Sequence, residues 1–322
     1  GSEMCIRDRD ESDGSFSKLT PTVAVVTNID SEHLDYHGSF ENLENAFNKF
    51  VSSIPFYGFK VLCIDHPVVQ KLIPLNKDRT LLTYGLSTTA DVKAANIEYF
   101  DNHTSFDVVL SNKILSSAET WKKITLPMLG KHNVLNCLAS ISIAIEMGIS
   151  ENSIRNTLNN FKGIKRRFES KGVTNDGIKI IDDYGHHPVE ITYALSSGRI
   201  LASKNKLIAI FQPHRYSRLK DLFDEFCQCF NNADYVFITD VYAAGESEIK
   251  NFNKETLATG ISDYGHNNVS IINNENEICD KILSIAKPND VVIFLGAGSI
   301  TKWSDTIVHQ LNNSGLKNEK IF

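Results

Sequence analysis

Residues 23–29 (VAVVTNI) are a short, β-branched apolar run between turn-forming neighbours, the pattern of a buried strand. A polar loop, DSEHLDYHGS, follows. Phe40, Leu43, Phe47, Phe50, Val51 and Ile54 then recur at helical spacing behind Ser39, which suits a helix N-cap. Short strands are predicted near 59–64, 79–84, 105–110 and 122–127, separated by turns and one short helix. GKHNVLNCLASISIAIEMGI predicts a long helix that stops at Gly148, a C′-type glycine, and a second helix covers 150–160. The basic, glycine-punctuated FKGIKRRFESKG reads as a hinge between two domains.

Beyond the hinge the rhythm is cleaner. Strands at 178–182, 207–211, 235–239 and 291–295 alternate with helices near 188–201, 217–231, 254–263 and 300–311, and a weaker strand lies near 269–272. Strand and helix in alternation predict a parallel sheet covered by helices on both faces. The 322 residues fit two such domains at ~100–200 residues each.

Composition adds exclusions. The chain is 42% hydrophobic and 22% charged, ordinary values for a globular protein, and its net charge of -6 disfavours a nucleic-acid partner. None of the six cysteines forms a CxxC pair, and Cys227 and Cys229 would diverge by about 200° on a helix. They read as thiols of a reducing compartment. No apolar run reaches the ~18 residues of a membrane span, so a cytoplasmic protein with no membrane partner is expected.

The unusual polar residues of the second half gather at predicted strand ends, where open parallel sheets bind ligands. IKIID leads into Asp182, Asp183, Tyr184, Gly185, His186 and His187; LIAIF into Gln212, Pro213, His214, Arg215, Tyr216, Ser217 and Arg218. YVFIT leads into Asp240 and DVYAAGE, and VVIFL into GAGS. The paired histidines suit either a metal, or hydrogen bonding to substrate or an inter-domain contact. Arg215 and Arg218, three apart, could face one anion or simply form a solvated first turn. GAGSIT lacks the third glycine of a dinucleotide fingerprint and reads as a tight strand-to-helix turn. In the first half, Asn28, Asp30, Glu32, His33 and Asp35 follow a buried strand and suit either magnesium or a capped loop. His132, Asn133 and Asn136 open the long helix, where amides could pair with a purine edge or cap the helix.

Taken together, DESDGSF, TNIDSEHLDYHGSFENL, FVSSIPFYG, GKHNVLN, GIKRRFE, DDYGHHPVE, FQPHRYSRLKDLFDEF, DVYAAGE and GAGSI closely resemble the Mur ligases, over residues 10–312. QPHRYSR with DVYAAGE resembles the branch that adds L-alanine to UDP-N-acetylmuramate. The resemblance implies an α/β architecture: a partial central ATP-binding domain over 10–162, then a Rossmann-like C-terminal domain with a mostly parallel sheet over 163–322. It implies an ATP- and Mg2+-dependent carbon–nitrogen ligase of bacterial peptidoglycan precursor synthesis, acting through an acyl phosphate. His33 would hold magnesium near the γ-phosphate. His132, Asn133 and Asn136 would contact adenine, and Arg167 and Asp183 the nucleotide's phosphate or ribose. Tyr184, His186, His214, Arg215 and Arg218 would receive the acyl phosphate and the incoming alanine, with His33, His186 and Arg215 as the catalytic set.

Two departures from the family pattern matter. The sequence contains no GxxGK[ST] phosphate loop, and GSEMCIRDR does not read as continuous with DESDGSF. The expectation is therefore an N-terminally truncated ligase with a non-native leader over 1–9 and negligible activity by itself. The alternatives are a non-catalytic nucleotide- or amino-acid-binding remnant, another Mur-type amide ligase, and a His-dependent metal hydrolase built on DDYGHHP.

Overall fold

The computed structural model describes residues 14–30, 34–114 and 118–318. The predicted leader and Cys5 lie outside them. The chain divides into two units. The first holds the described residues up to 98, with 104–126 and 132–161, and the second holds 99–103, 127–131 and the described residues from 162 onward.

The first unit runs β1 (Val23–Val26), α1 (Leu34–His37), α2 (Phe40–Ser52), β2 (Phe59–Cys63), α3 (Pro67–Leu75), β3 (Thr80–Gly85), β4 (Val92–Tyr99), β5 (Thr104–Leu110), β6 (Glu119–Leu126), α4 (Lys131–Glu146) and α5 (Glu151–Asn159). Its sheet has the order β1-β2-β3-β4-β5-β6, parallel from β1 to β4 and antiparallel between β5 and β6. Ser39 caps α2 as expected, its Oγ accepting from Asn42 N at 3.2 Å. Gly148 stops α4 with φ +74°, a backbone conformation that glycine adopts without the Cβ penalty. Val26, Leu43, Val51, Leu62, Val69 and Leu72 interlock between sheet and helices, each worth ~1.5–3 kcal/mol when fully buried. Lys60 is fully buried in β2, and its ammonium donates to Asn76 O (3.2 Å), Asn76 Oδ1 (3.1 Å) and Asp78 Oδ1 (3.0 Å). These three acceptors offset the cost of taking the charge out of water.

The second unit runs β7 (Glu169–Val173), β8 (Lys179–Asp183), α6 (Pro188–Ala202), β9 (Leu207–Phe211), α7 (Tyr216–Asp221), α8 (Phe223–Gln228), β10 (Tyr235–Ile238), α9 (Lys254–Asp263), β11 (Val269–Ile271), α10 (Asn276–Ile285), β12 (Val291–Leu295) and α11 (Ile300–Asn318). The sheet order is β11-β10-β9-β12-β8-β7, parallel except for the antiparallel edge strand β7. One face packs on α6, α8 and α9, the other on α10 and α11. The central strands β9 and β12 are buried at every position, as a sheet covered on both sides requires.

Several elements differ from the sequence reading, among them α1 (Leu34–His37), which lies within the stretch read as a polar loop. Glu169–Val173, assigned to the hinge, is the polar edge strand β7, and β4 and α10 were not expected at all. The helix expected over 217–231 breaks at Leu222, whose φ of -120° is not helical. The five described cysteines are free and buried, and among the described residues no helix is long and apolar enough to cross a membrane.

Candidate functional site

The rim of the second sheet carries the predicted residues, beginning where β8 ends. Asp183 is buried and both its oxygens take backbone donors: Oδ1 from Gly185 N and Oδ2 from Phe168 N, each at 2.7 Å. Burial pushes its carboxyl up to about 6, against the pull of those two N–H groups. Tyr184 N donates to Arg166 O at 2.7 Å, so the segment entering the unit is tied to the same loop. Arg166 and Phe168 hold left-handed backbones, with φ +59° and +52°. The Arg166 guanidinium lies 4.6 Å from the Tyr184 ring centroid and donates to Gly296 O at 2.7 Å. Arg167 lies 5.3 Å from the same ring and pairs with Glu190 at 3.5 Å.

The two adjacent histidines do different work. His187 caps α6, its Nδ1 accepting from Val189 N at 3.3 Å, while Glu190 Oε2 accepts from His187 N. His186 Nδ1 lies 3.1 Å from Tyr184 O and 3.2 Å from Glu190 Oε2. Both neighbours are acceptors, so Nδ1 carries the proton and Nε2 is left with its lone pair. Burial holds the His186 imidazole below its ordinary pKa, opposed by Glu190. The metal reading of this pair finds no support, since no group of three or more His, Cys, Asp or Glu converges among the described residues.

His214, past the end of β9, reaches the same place. Its ring lies 5.8 Å from that of His186, and it stacks on Tyr242 at 5.4 Å and 12°. Its Nδ1 faces Arg218 Nη1 at 3.2 Å, so here Nδ1 is the acceptor and Nε2 bears the proton, the opposite tautomer to His186. Burial, with Arg218 and His186 beside it, lowers His214 to about 4. Arg215 turns elsewhere: with φ +70°, its Nε donates to Glu246 Oε1 at 2.5 Å. Glu246 also accepts from Ser217 N (3.0 Å) and Ser217 Oγ (2.7 Å). Arg215 Nε is therefore committed to Glu246, while Arg218 Nη1 faces His214.

GAGS after β12 is a packing turn, as the sequence suggested. A Cβ on Gly298 would sit 2.4 Å from Gln212 Oε1 and 2.7 Å from Tyr242 Cγ. Gln212 Oε1 accepts from Ile300 N at 3.1 Å, satisfying a donor at the start of α11. Beside this turn lies a cleft of about 260 Å³.

In the first unit, His132 is half-buried, Asn133 buried and Asn136 exposed on the first turns of α4. His33 and Glu32 lie outside the described residues. The described part of their loop commits Asp30 to Asn28, at 2.6 Å, and to His66, at 3.5 Å. Sequence reasoning named no role for Glu190, Glu246, Arg166 or Tyr242. Glu190 had a local signal, standing third after a helix start in HHPVE, the spacing of a capping box.

Comparison with known proteins gives the family. Residues 2–144 match the Mur ligase middle domain, and residues 166–298 match the glutamate ligase domain of Mur ligases. A UDP-N-acetylmuramate–L-alanine ligase from Rhodospirillum rubrum is 49% identical over 309 residues, 96% of this chain and 64% of the relative. One from Brucella anthropi is 47% identical over 315 residues, 98% of this chain and 67% of the relative. The chain belongs to the Mur ligase family. It spans about 64% of the length of the first of these relatives. Among solved Mur ligases, the UDP-N-acetylmuramate–alanine ligase MurC from Thermotoga maritima superposes with a TM-score of 0.74 at 25% identity, over 95% of this chain and 63% of that one. MurF from the same organism, solved with ADP, shares the fold with a TM-score of 0.70 at 19% identity, over 95% of this chain and 65% of that one.

Proposed function

We propose that this chain is the middle and C-terminal part of an ATP-dependent ligase that joins L-alanine to UDP-N-acetylmuramate, in the cytoplasm of a bacterium, for peptidoglycan precursor synthesis. Similarity to relatives bearing that name supports the reading, but the observation that carries it is in the second unit. Two neutral imidazoles, a tyrosine and an arginine meet at the carboxyl ends of β8 and β9.

The reaction needs such a group. A lactyl carboxylate oxygen attacks the γ-phosphorus of ATP, forming an acyl phosphate and releasing ADP. The amine of alanine then attacks the acyl carbon, and phosphate leaves as the amide forms. The amine must be neutral to attack, and it must lose a proton as the bond forms. His186 Nε2, with its lone pair left open by the Nδ1 contacts, accepts that proton. Arg218 receives the alanine carboxylate, a charge-assisted contact that orients the amine. Arg215, fixed by Glu246, adds positive charge to the rim.

The remaining roles come with the family. His132, Asn133 and Asn136 hold the adenine side of ATP, and Arg167 and Asp183 reach its phosphates or ribose. Asp183, with both oxygens on backbone N–H groups, positions the Tyr184–His186 loop. Magnesium, when bound, neutralises charge on the transferring phosphoryl group. His33 is its expected holder, and the described residues supply no ligand set of their own.

A phosphate-release assay on a protein containing this chain, with UDP-N-acetylmuramate, L-alanine, ATP and magnesium, tests the proposal. The expected result is one phosphate per amide, dependent on both acceptor substrates. Phosphate release that ignores alanine would contradict it.

A further inference from the structure

The cleft beside the GAGS turn belongs to no part of the reaction above. Tyr242, Thr239, Asp240, Asn273, Asn274 and Trp303 line it, and its volume is about 260 Å³. That is several times the space of a methyl group, which is comparable to the ~30 Å³ share of one liquid water molecule. His186, His214 and Arg218 do not line it. Tyr242 is the residue common to both places, since it walls the cleft and stacks on His214 at 5.4 Å.

The ring of Tyr242 is held from several sides. Its backbone is bonded to the β9 extension in both directions, Tyr242 N to Pro213 O at 2.8 Å and Arg215 N to Tyr242 O at 2.9 Å. His214 stacks on the ring, and Gly298 leaves room for it where any Cβ would collide at 2.7 Å. Yet 41% of the residue is exposed, and its ring lies against His214 at 5.4 Å. A rigid aromatic ring between an amine-handling cluster and an open cleft bounds the side chain the amine can carry.

We infer that Tyr242 sets the side-chain selectivity of the acceptor amino acid by closing the cleft to it. With the tyrosine in place the acceptor is limited to a methyl side chain. With a small residue there, the cleft joins the site and takes longer unbranched side chains. Its Asn273, Asn274 and Thr239 suit an amide and its Trp303 and Ile272 suit a thioether, so L-glutamine and L-methionine are the probes. The inference rests on the alanine-ligase reading, and the experiment separates the two.

The experiment compares kcat/KM for L-alanine, L-methionine and L-glutamine in a protein containing this chain, as wild type, Y242F and Y242A. The wild type is expected to use alanine and discriminate strongly against the other two. Y242F, which keeps the ring, is expected to retain that discrimination. In Y242A the preference for alanine is expected to fall at least ~10-fold, the scale set by one methylene in a pocket. Ala243→Leu, which adds bulk at another residue lining the cleft, is expected to restore discrimination when added to Y242A. If the wild type ligates no alanine, the functional reading fails. If the wild type ligates alanine and Y242A discriminates as it does, the selectivity inference fails. Should Y242A not fold, Y242L takes its place with the same two outcomes, because leucine removes the flat ring.

Discussion

Arg215 and Glu246 stand thirty-one residues apart in sequence and meet at 2.5 Å, the guanidinium Nε on one carboxylate oxygen. The same carboxylate takes the amide and hydroxyl of Ser217, so one side chain anchors both the left-handed turn at Arg215 and the start of α7. Despite burial, these donors hold Glu246 down to about 2. Glu246→Ala is expected to cost ~1–3 kcal/mol at pH 7, since it strands a charged donor and a backbone N–H. The carboxyl's folded pKa is depressed, so its contribution is present above the ordinary carboxylate range and lost as pH falls toward 2. Urea titrations of wild type and E246A should therefore differ most at pH 7, with the difference shrinking below the ordinary carboxylate range and vanishing only as pH falls through about 2.

The two imidazoles are expected to be neutral and in opposite tautomers at pH 7. Nitrogen-15 spectra of the histidines should place the proton of His186 on Nδ1 and that of His214 on Nε2. His214 should remain unprotonated down to about pH 5, because burial and Arg218 lower it to about 4. Arg218→Met removes one of those causes and should move the His214 titration upward. Failure of the titration to move would mean that burial alone sets it.

Asp183 gives a slope of the opposite sign to Glu246. Its folded pKa is raised to about 6, so stability from this group is present in full below the unfolded value and lost as pH rises through 6. Asp183→Asn keeps one acceptor for two N–H donors, costing ~1–3 kcal/mol, but removes the buried charge. These terms are similar in size, so the variant should differ little from wild type at pH 7. It should be less stable than wild type at pH 4, as urea midpoints at the two pH values will show.

Gly298→Ala tests the packing turn. The added Cβ meets Gln212 Oε1 at 2.4 Å and Tyr242 Cγ at 2.7 Å, and neither contact is tolerable. Overpacking of this kind costs ~1–3 kcal/mol and should displace the Tyr242 ring from His214. A thermal melt with tyrosine and histidine ring NMR reads both effects.

Local signals carried most of what was legible in the sequence. Ser39, the helical spacing of Leu43 and Val51, and Gly148 each announce their structure within one or two turns of chain. The strand-end placement of His186 and His214 followed from the βα rhythm. The missed elements lack such signals. β7 is a polar edge strand with no buried position, and Val92–Tyr99 alternates only in its first half. The break at Leu222 carries no proline or glycine to mark it. Pairings across long separations were likewise out of reach. Arg215 with Glu246 and Tyr242 with Gly298 join different strand ends, and only the sheet order brings them together.

Oxygen-18 transfer tests the central claim most directly. UDP-N-acetylmuramate labelled at both lactyl carboxylate oxygens is given to a protein containing this chain, with ATP and L-alanine. Ligation through an acyl phosphate places one labelled oxygen in inorganic phosphate for each amide formed, and the other in the amide carbonyl. Amide formation with unlabelled phosphate would contradict the account.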